Sequence, residues 1–533
     1  MRYVFTLLVL CAFWSCTQTH EHPDKKIFRY NQAGGINSLD PAFARDLSSI
    51  WATHQLFNGL LQMDNNMQIS PCIAKHYTIN QGGLHYQFTL RNDVYFHKNP
   101  CFGPDSTRAV RATDVVFSLN RLRNPEVASP GKWVLQDVDS IWAYNDTLVN
   151  ITLKNAFAPF AGVLTMKYCS IVPKEAIDAY GSAFNENPVG TGPFRFVAWH
   201  RNEKLVFRKN EAYFERDSAG KQLPYLDGVA VSFITDPQAS FLEFLKGNID
   251  LISGLDAAYK DEIITANGTL KERYEKAFKL SKLPYLNTEY LIFNVDTAGK
   301  GIQQDIRLRQ AINIGFNRKT MMAYLRNTIG RAADGGIIPY GLPGTASGEG
   351  YAYAPERAKM LLEAIKADSG DVPTITLTTV ANYRDLCEYI QSELGKLGLN
   401  IIVDVVPPAN LREQKAQGTL NFFRASWIAD YPDAENYLSL FYSPNRSPNG
   451  PNYSRYFNPV FDSLYTLARS STVAEERIAT YLQLDRMIID DAPIVPLYYD
   501  EVVRIHPKNI TGLEGNSLNL LDLRFVDRTL PNQ

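Results

Sequence analysis

The sequence predicts a mixed α/β protein of two or three domains. Three observations carry that expectation. The chain has 533 residues, 45% apolar and 21% charged, which is a globular composition too long for a single core. Stretches of period-two alternation exchange with stretches of helical period along the whole length. Turns rich in Gly and Pro separate them, and no short repeat, heptad array or low-complexity tract interrupts the pattern.

The elements follow in order. An extended opening, "KKIFRYNQAGGINSLDPAF", breaks at Gly34-Gly35. A helix is expected from about Ser48 to Leu60, with Ile50, Leu56, Phe57 and Leu60 on one side. In "LHYQFTLRNDVYFH", His85, Gln87 and Thr89 alternate with Tyr86, Phe88 and Leu90, the period of a strand. "ATDVVFSLNRL" reads as a helix capped by Thr113 or Asp114, with Val115, Val116 and Leu119 inward. Pro188, Gly190, Gly192 and Pro193 force an irregular turn, after which Phe194 to Trp199 and Leu205 to Arg208 form a hairpin about Arg201-Asn202-Glu203. "GVAVSFITD", "PQASFLEFLKGN" and "IDLIS" read as strand, helix, strand, which favours α/β over all-β structure.

The second half continues in the same style. "YLIFNV" is a strand, and "DIRLRQAINIGFNRKTMMAYL" one helix with Ile306, Ala311, Ile312 and Phe316 as its apolar side. "PERAKMLLEAIKA" starts on Pro and buries Met360, Leu361 and Ile365. "TITLTTV", "YRDLCEYIQSELGKLG" and "NIIVDVVP" follow as strand, helix and strand, before a last helix that runs into a strand through "PIVPLYYDEVVRI".

Net charge is −2 and no basic tract stands out, so nucleic acid is not expected as a partner. "MRYVFTLLVLCAFWSC" has a positive start and an apolar run too short to span a bilayer, which fits a cleaved secretory leader over residues 1–15. Four further cysteines fit no zinc spacing. Cys72 and Cys101 flank a hairpin region and are the expected pair if the exported chain is oxidised; buried free thiols are the alternative. There is no phosphate loop, serine elbow or HExxH pair, and the eight histidines are scattered, with His20 and His22 in a polar stretch. These absences favour a binding protein over an enzyme.

Within "RASWIADYPDAENYL", Asp430 lies among Trp427, Ile428, Ala429 and Tyr431. A carboxylate in apolar surroundings is costly unless a cation meets it. Five segments in order now resemble one family: "SLDPAF", "RATDVVFSLNRL", "NPVGTGPFRFVAWHRNEKLVFRKNEAYF", "DIRLRQAINIGFNR" and "WIADYPDAENYL". The chain resembles the extracellular solute-binding proteins of family 5, which serve peptide and nickel ABC transporters. Ser15-Cys16 likewise resembles a lipobox, which implies lipidation at Cys16 and a tether over 16–26.

The resemblance implies a two-lobed periplasmic-binding-protein fold, type II and cluster C-like, closing about a hinge. Lobe I is expected at 27–57, 186–287 and 498–533, an additional domain at 58–185, and lobe II at 288–497. The chain would cross the hinge near Leu286 and Leu497. The function implied is capture of di- to oligopeptides for a membrane permease, by a monomeric, cell-envelope-anchored protein without cofactor or metal. By the same resemblance Asp430 meets the ligand's α-ammonium, with Trp427 and Tyr431 beside it, and Arg424 and Lys415 meet its carboxylate. Ala44, Arg45 and Asp46 line the ligand, and Tyr498 and Tyr499 provide an aromatic wall. The same fold binding a nickel chelate, haem or oligosaccharide, or acting as a surface adhesion or signalling lipoprotein, are the other readings.

Overall fold

The computed structural model describes residues 25–530 except 297, 298 and 300. The leader, Cys16 and most of the tether, with His20 and His22, lie outside the described residues. The fold is mixed α/β, as expected, and rests on three principal sheets.

The N-terminal sheet has four strands in the order Ile27–Asn31, Gly228–Ser232, Lys204–Lys209, Phe194–His200. The first pair is parallel and the others antiparallel. Alternation places Phe28, Tyr30, Leu205, Phe207, Val229 and Val231 on a buried face. Asn202 turns the hairpin at φ 61°, a conformation asparagine tolerates. Gly190 and Gly192 lie directly on the end of helix Leu47–Leu56, where a Cβ on either would run into the Leu56 backbone. Gly192 N–H donates to Leu56 O at 2.9 Å, which fixes this helix over the sheet.

An insert sheet follows the order Ala74–Asn80, His85–Leu90, Leu148–Leu153, Val138–Ala143, all antiparallel. The large sheet has seven strands, led by Ile252–Ser253, Ile494–Pro507, Phe278–Phe293, Phe422–Ile428, Ile375–Thr379 and Ile401–Val405. Its two longest members, Phe278–Phe293 and Ile494–Pro507, run antiparallel, and their register shifts between Pro284 and Thr288. Helices Pro355–Ser369 and Arg384–Gly395 bury Leu362, Ile365, Ile390 and Leu394 against this sheet's core. The insert and the large-sheet region meet where Arg469 pairs with Asp137 and stacks 4.6 Å from the Phe157 ring. Phe157 in turn meets Tyr431 edge to face.

Several local expectations are corrected. The helix expected to start at about Ser48 ends at Leu56, because Phe57 turns extended with its N–H on Thr53 O, and Leu60 leads into the next strand. Asp114 does cap its helix, but from inside: its carboxylate reaches back to the Arg111 N–H at 2.8 Å. The helix expected through Ile306 to Leu325 is two helices, Ile306–Ile314 and Arg318–Arg326. Gly315 ends the first against Leu394, and Asn317 caps the second by accepting from Thr320 N–H at 3.1 Å. Ile306 and Met360 face solvent, and Ala358 and Leu362 take the inward places instead.

Cys72 and Cys101 are not bonded; both are free thiols. The buried Cys72 faces Asn58, Glu215 and Lys167, while Cys101 faces Arg108 and Glu175 in the surface turn Pro100–Asp105. The two therefore belong to different neighbourhoods.

Candidate functional site

Strand Phe422–Ile428 ends at the segment that carries Asp430. Asn436, at the start of the short helix Glu435–Leu438, organises this segment. Its amide oxygen accepts from Trp427 Nε1 at 2.8 Å and from the Asp430 N–H at 3.1 Å. Its amide nitrogen then points to Asp430 Oδ2, at a long 3.4 Å. That is the side-chain hydrogen bond Asp430 makes, and no cation pairs with it among the described residues. Burial pushes its carboxyl up to about 6, opposed only by Asn436. Trp427 thus positions Asp430 through Asn436.

Asp430 borders a cavity of about 220 Å³. Ala44, Arg45, Trp133, Tyr168 and Tyr285 line it with Asp430, so segments from the N-terminal stretch, the insert and the large-sheet region converge there. Tyr168 is buried with its ring on the face of Gly131, where a Cβ would strike it. Burial and the nearby Asp430 raise its hydroxyl to about 12. Lys167, on the same wall, is lowered to about 8 by burial.

A second chamber, of about 690 Å³, shares Leu47 and Tyr285 with the first. Tyr30, Trp51, Tyr383 and Tyr498 give it an aromatic lining, and Asp256, Lys260, Arg326, Asp385, Asp500 and Glu501 give it charge. Arg326 lies across the Tyr498 ring at 4.5 Å, donates to its hydroxyl at 3.0 Å and pairs with Asp500 at 2.8 Å.

The remaining site candidates fall elsewhere. Arg424 forms a buried ion pair with Glu289 and lies 3.3 Å from the centroid of the Tyr383 ring. Lys415 is half-buried, 4.8 Å over the Tyr453 ring, and burial lowers it to about 8. Asp46 caps helix Leu47–Leu56, accepting from Ser49 N–H at 2.9 Å. Tyr431 donates to Glu435 Oε2 at 2.5 Å and borders an outer cavity with Asp433 and Arg477. Tyr499 donates to Gly336 O at 3.0 Å and is fully buried. The structure thus brings Ala44, Arg45 and Asp430 to the small chamber and Tyr498 to the large one. Sequence reasoning missed Trp133, Tyr168, Tyr285, Arg326 and Glu501. Only Tyr285, beside the expected hinge residue Leu286, carried a signal that could have drawn attention.

Comparison with known proteins gives a consistent picture. The dipeptide-binding protein of Escherichia coli strain K12 is 24% identical over 479 residues, 86% of each chain. The structure superposes on DppA of Helicobacter pylori, an ABC transporter-associated periplasmic binding protein in complex with the peptide STSA. There the TM-score is 0.77 at 26% identity, over 95% of this chain and 99% of that one. HbpA2 of Haemophilus parasuis shares the fold at TM-score 0.80 and 23% identity, over 95% of this chain and all of the other. The family described as bacterial extracellular solute-binding proteins, family 5 (middle), matches residues 68–449. By fold, by motif and by a match across most of its length, this chain belongs to the extracellular solute-binding proteins of family 5.

Proposed function

We propose that the protein captures peptides bearing a free amino terminus and delivers them to a membrane permease. The observation that carries this reading is Asp430: a largely buried carboxylate on a cavity wall with one long neutral hydrogen bond and, among the described residues, no paired cation. A ligand ammonium supplies the missing charge-assisted partner. Because the partner arrives only with ligand, it stabilises the closed arrangement over the open one, which binding-driven closure requires. The peptide in the DppA complex supports the same ligand class.

On this reading the lobes are 27–57 with 186–287 and 498–533, and 288–497, with 58–185 as the additional domain. On that division the chain bends near Leu286, a reading supported by the register shift between Pro284 and Thr288. The protein acts as a binding component without catalysis, monomeric and anchored in the cell envelope through a lipid on Cys16.

The test is calorimetric titration of refolded, ligand-free protein with a mixed tri- to pentapeptide pool, beside the same pool N-acetylated. Binding by the free-amine pool alone supports the assignment. Equal binding by both removes Asp430 from the ammonium role. No heat from either pool refutes the peptide reading.

A further inference from the structure

The charges around the large chamber do not balance. Its two cations are already engaged: Arg326 with Asp500 at 2.8 Å, and Lys260 with Asp261 at 2.9 Å and Asn327 at 2.8 Å. Three of its carboxylates are not. Asp256 accepts only from the Ala258 N–H, Asp385 from the Leu386 N–H and Glu501 from the Gly330 N–H. Among the described residues none of the three pairs with a cation; Glu501 is half-buried in the wall, while Asp256 and Asp385 stand exposed at the chamber's rim. They come from three different segments: the loop after Ile252–Ser253, the start of helix Arg384–Gly395, and the long strand Ile494–Pro507.

Two further observations point to a cationic occupant. Tyr30 lines the same chamber, is 1% exposed, and its hydroxyl, able both to donate and to accept, has no partner, so a polar group is left over in the wall. The chamber's tyrosines already receive guanidinium groups on their faces, Arg326 on Tyr498 and Arg424 on Tyr383. Arg424, the cation expected for a ligand carboxylate, is neutralised by Glu289 and sits behind Tyr383 rather than in the chamber wall.

We propose that the large chamber accepts a second positive charge on the ligand, a lysine or arginine side chain, and provides no grip for a ligand carboxylate. This rests on the peptide reading above, and it narrows the substrate class to basic peptides whose carboxyl end is not read.

The test is titration calorimetry of refolded, ligand-free protein with trialanine, Ala-Lys-Ala, Ala-Ala-Lys, Ala-Glu-Ala and Ala-Lys-Ala amide, each with and without an N-acetyl group. At least one lysine peptide should bind about tenfold tighter than trialanine, and the glutamate peptide about tenfold weaker. Amidation should change affinity by less than about threefold. In the double variant Asp385→Asn/Glu501→Gln the lysine and glutamate peptides should converge to within about threefold. A tenfold loss on amidation, or a glutamate peptide that binds as well as the lysine peptides, overturns the proposal. Amine-dependent binding with a flat charge series overturns it while the peptide reading stands; no binding by any free-amine peptide overturns both.

Discussion

The Arg424 guanidinium pairs with the Glu289 carboxylate inside the fold, with side-chain exposures of 11% and 3%, and the Tyr383 ring covers its other face. The two residues stand opposite one another on hydrogen-bonded strands, two positions out of direct register. Burial pushes the Glu289 carboxyl up, and Arg424 opposes it. Glu289→Gln should therefore leave an uncompensated buried guanidinium and cost about 3–5 kcal/mol in urea unfolding. Adding Arg424→Met should return most of that loss. A single variant as stable as the parent would show that the pair is effectively solvated.

Asp430 gives a pH signature. Its folded carboxyl lies at about 6, above the ordinary 3.8. The folded state thus holds this proton more firmly than the unfolded state, and stability falls as pH rises from about 4 to about 6. Asp430→Asn removes that loss. The carboxylate is partly open to the cavity, which reduces the effect, so the ligand-free variant should gain about 1–2 kcal/mol at pH 7.5 and match the parent near pH 4. Paired thermal melts across that range measure it, and a pH-independent difference would contradict it.

Gly131 and Tyr168 form a second pair whose coupling is measurable. Any Cβ at Gly131 strikes the Tyr168 ring, which walls the small chamber. Gly131→Ala should cost about 1–3 kcal/mol through overpacking and should weaken peptide binding by moving the ring. In a Tyr168→Ala background the same alanine should cost little. Additive effects in the double-mutant cycle would show that the ring has room to yield.

The thiols supply a chemical test. Cys72, Cys169 and Cys387 are buried, while Cys101 is partly exposed with its thiol raised to about 11 by burial and Glu175. In the native protein an aromatic disulfide reagent should label Cys101 slowly and the other three only after unfolding. Non-reducing peptide mapping that recovers a Cys72–Cys101 linkage would contradict the structure.

Much of the fold was legible because it is local. The hairpin of Phe194–His200 and Lys204–Lys209 declares itself by alternation and an asparagine turn, and the amphipathic helix Arg384–Gly395 by its period. The split at Gly315 is masked in the sequence by the apolar period of Ile306, Ala311, Ile312 and Phe316, which carries across the Gly315 stop and the Asn317 cap. The site shows the same division. Asp430 stood out because its neighbours in sequence are apolar. Its other wall residues, Trp133 and Tyr168, come from a distant segment, and nothing in their spacing ties them to it. The Glu289–Arg424 pair spans 135 positions, so its neutralising effect on a candidate anchor emerges only once two strands lie side by side.

Trp427 donates to the same amide that steadies Asp430, while Trp51 and Trp133 border the two chambers. Indole emission responds to nearby charge and to water. The molecule therefore carries its own optical reporters on the walls of both chambers. Filling the cavities should shift intrinsic fluorescence without any dye or tag, and Trp427→Phe, Trp133→Phe and Trp51→Phe should each subtract a distinguishable share of the signal.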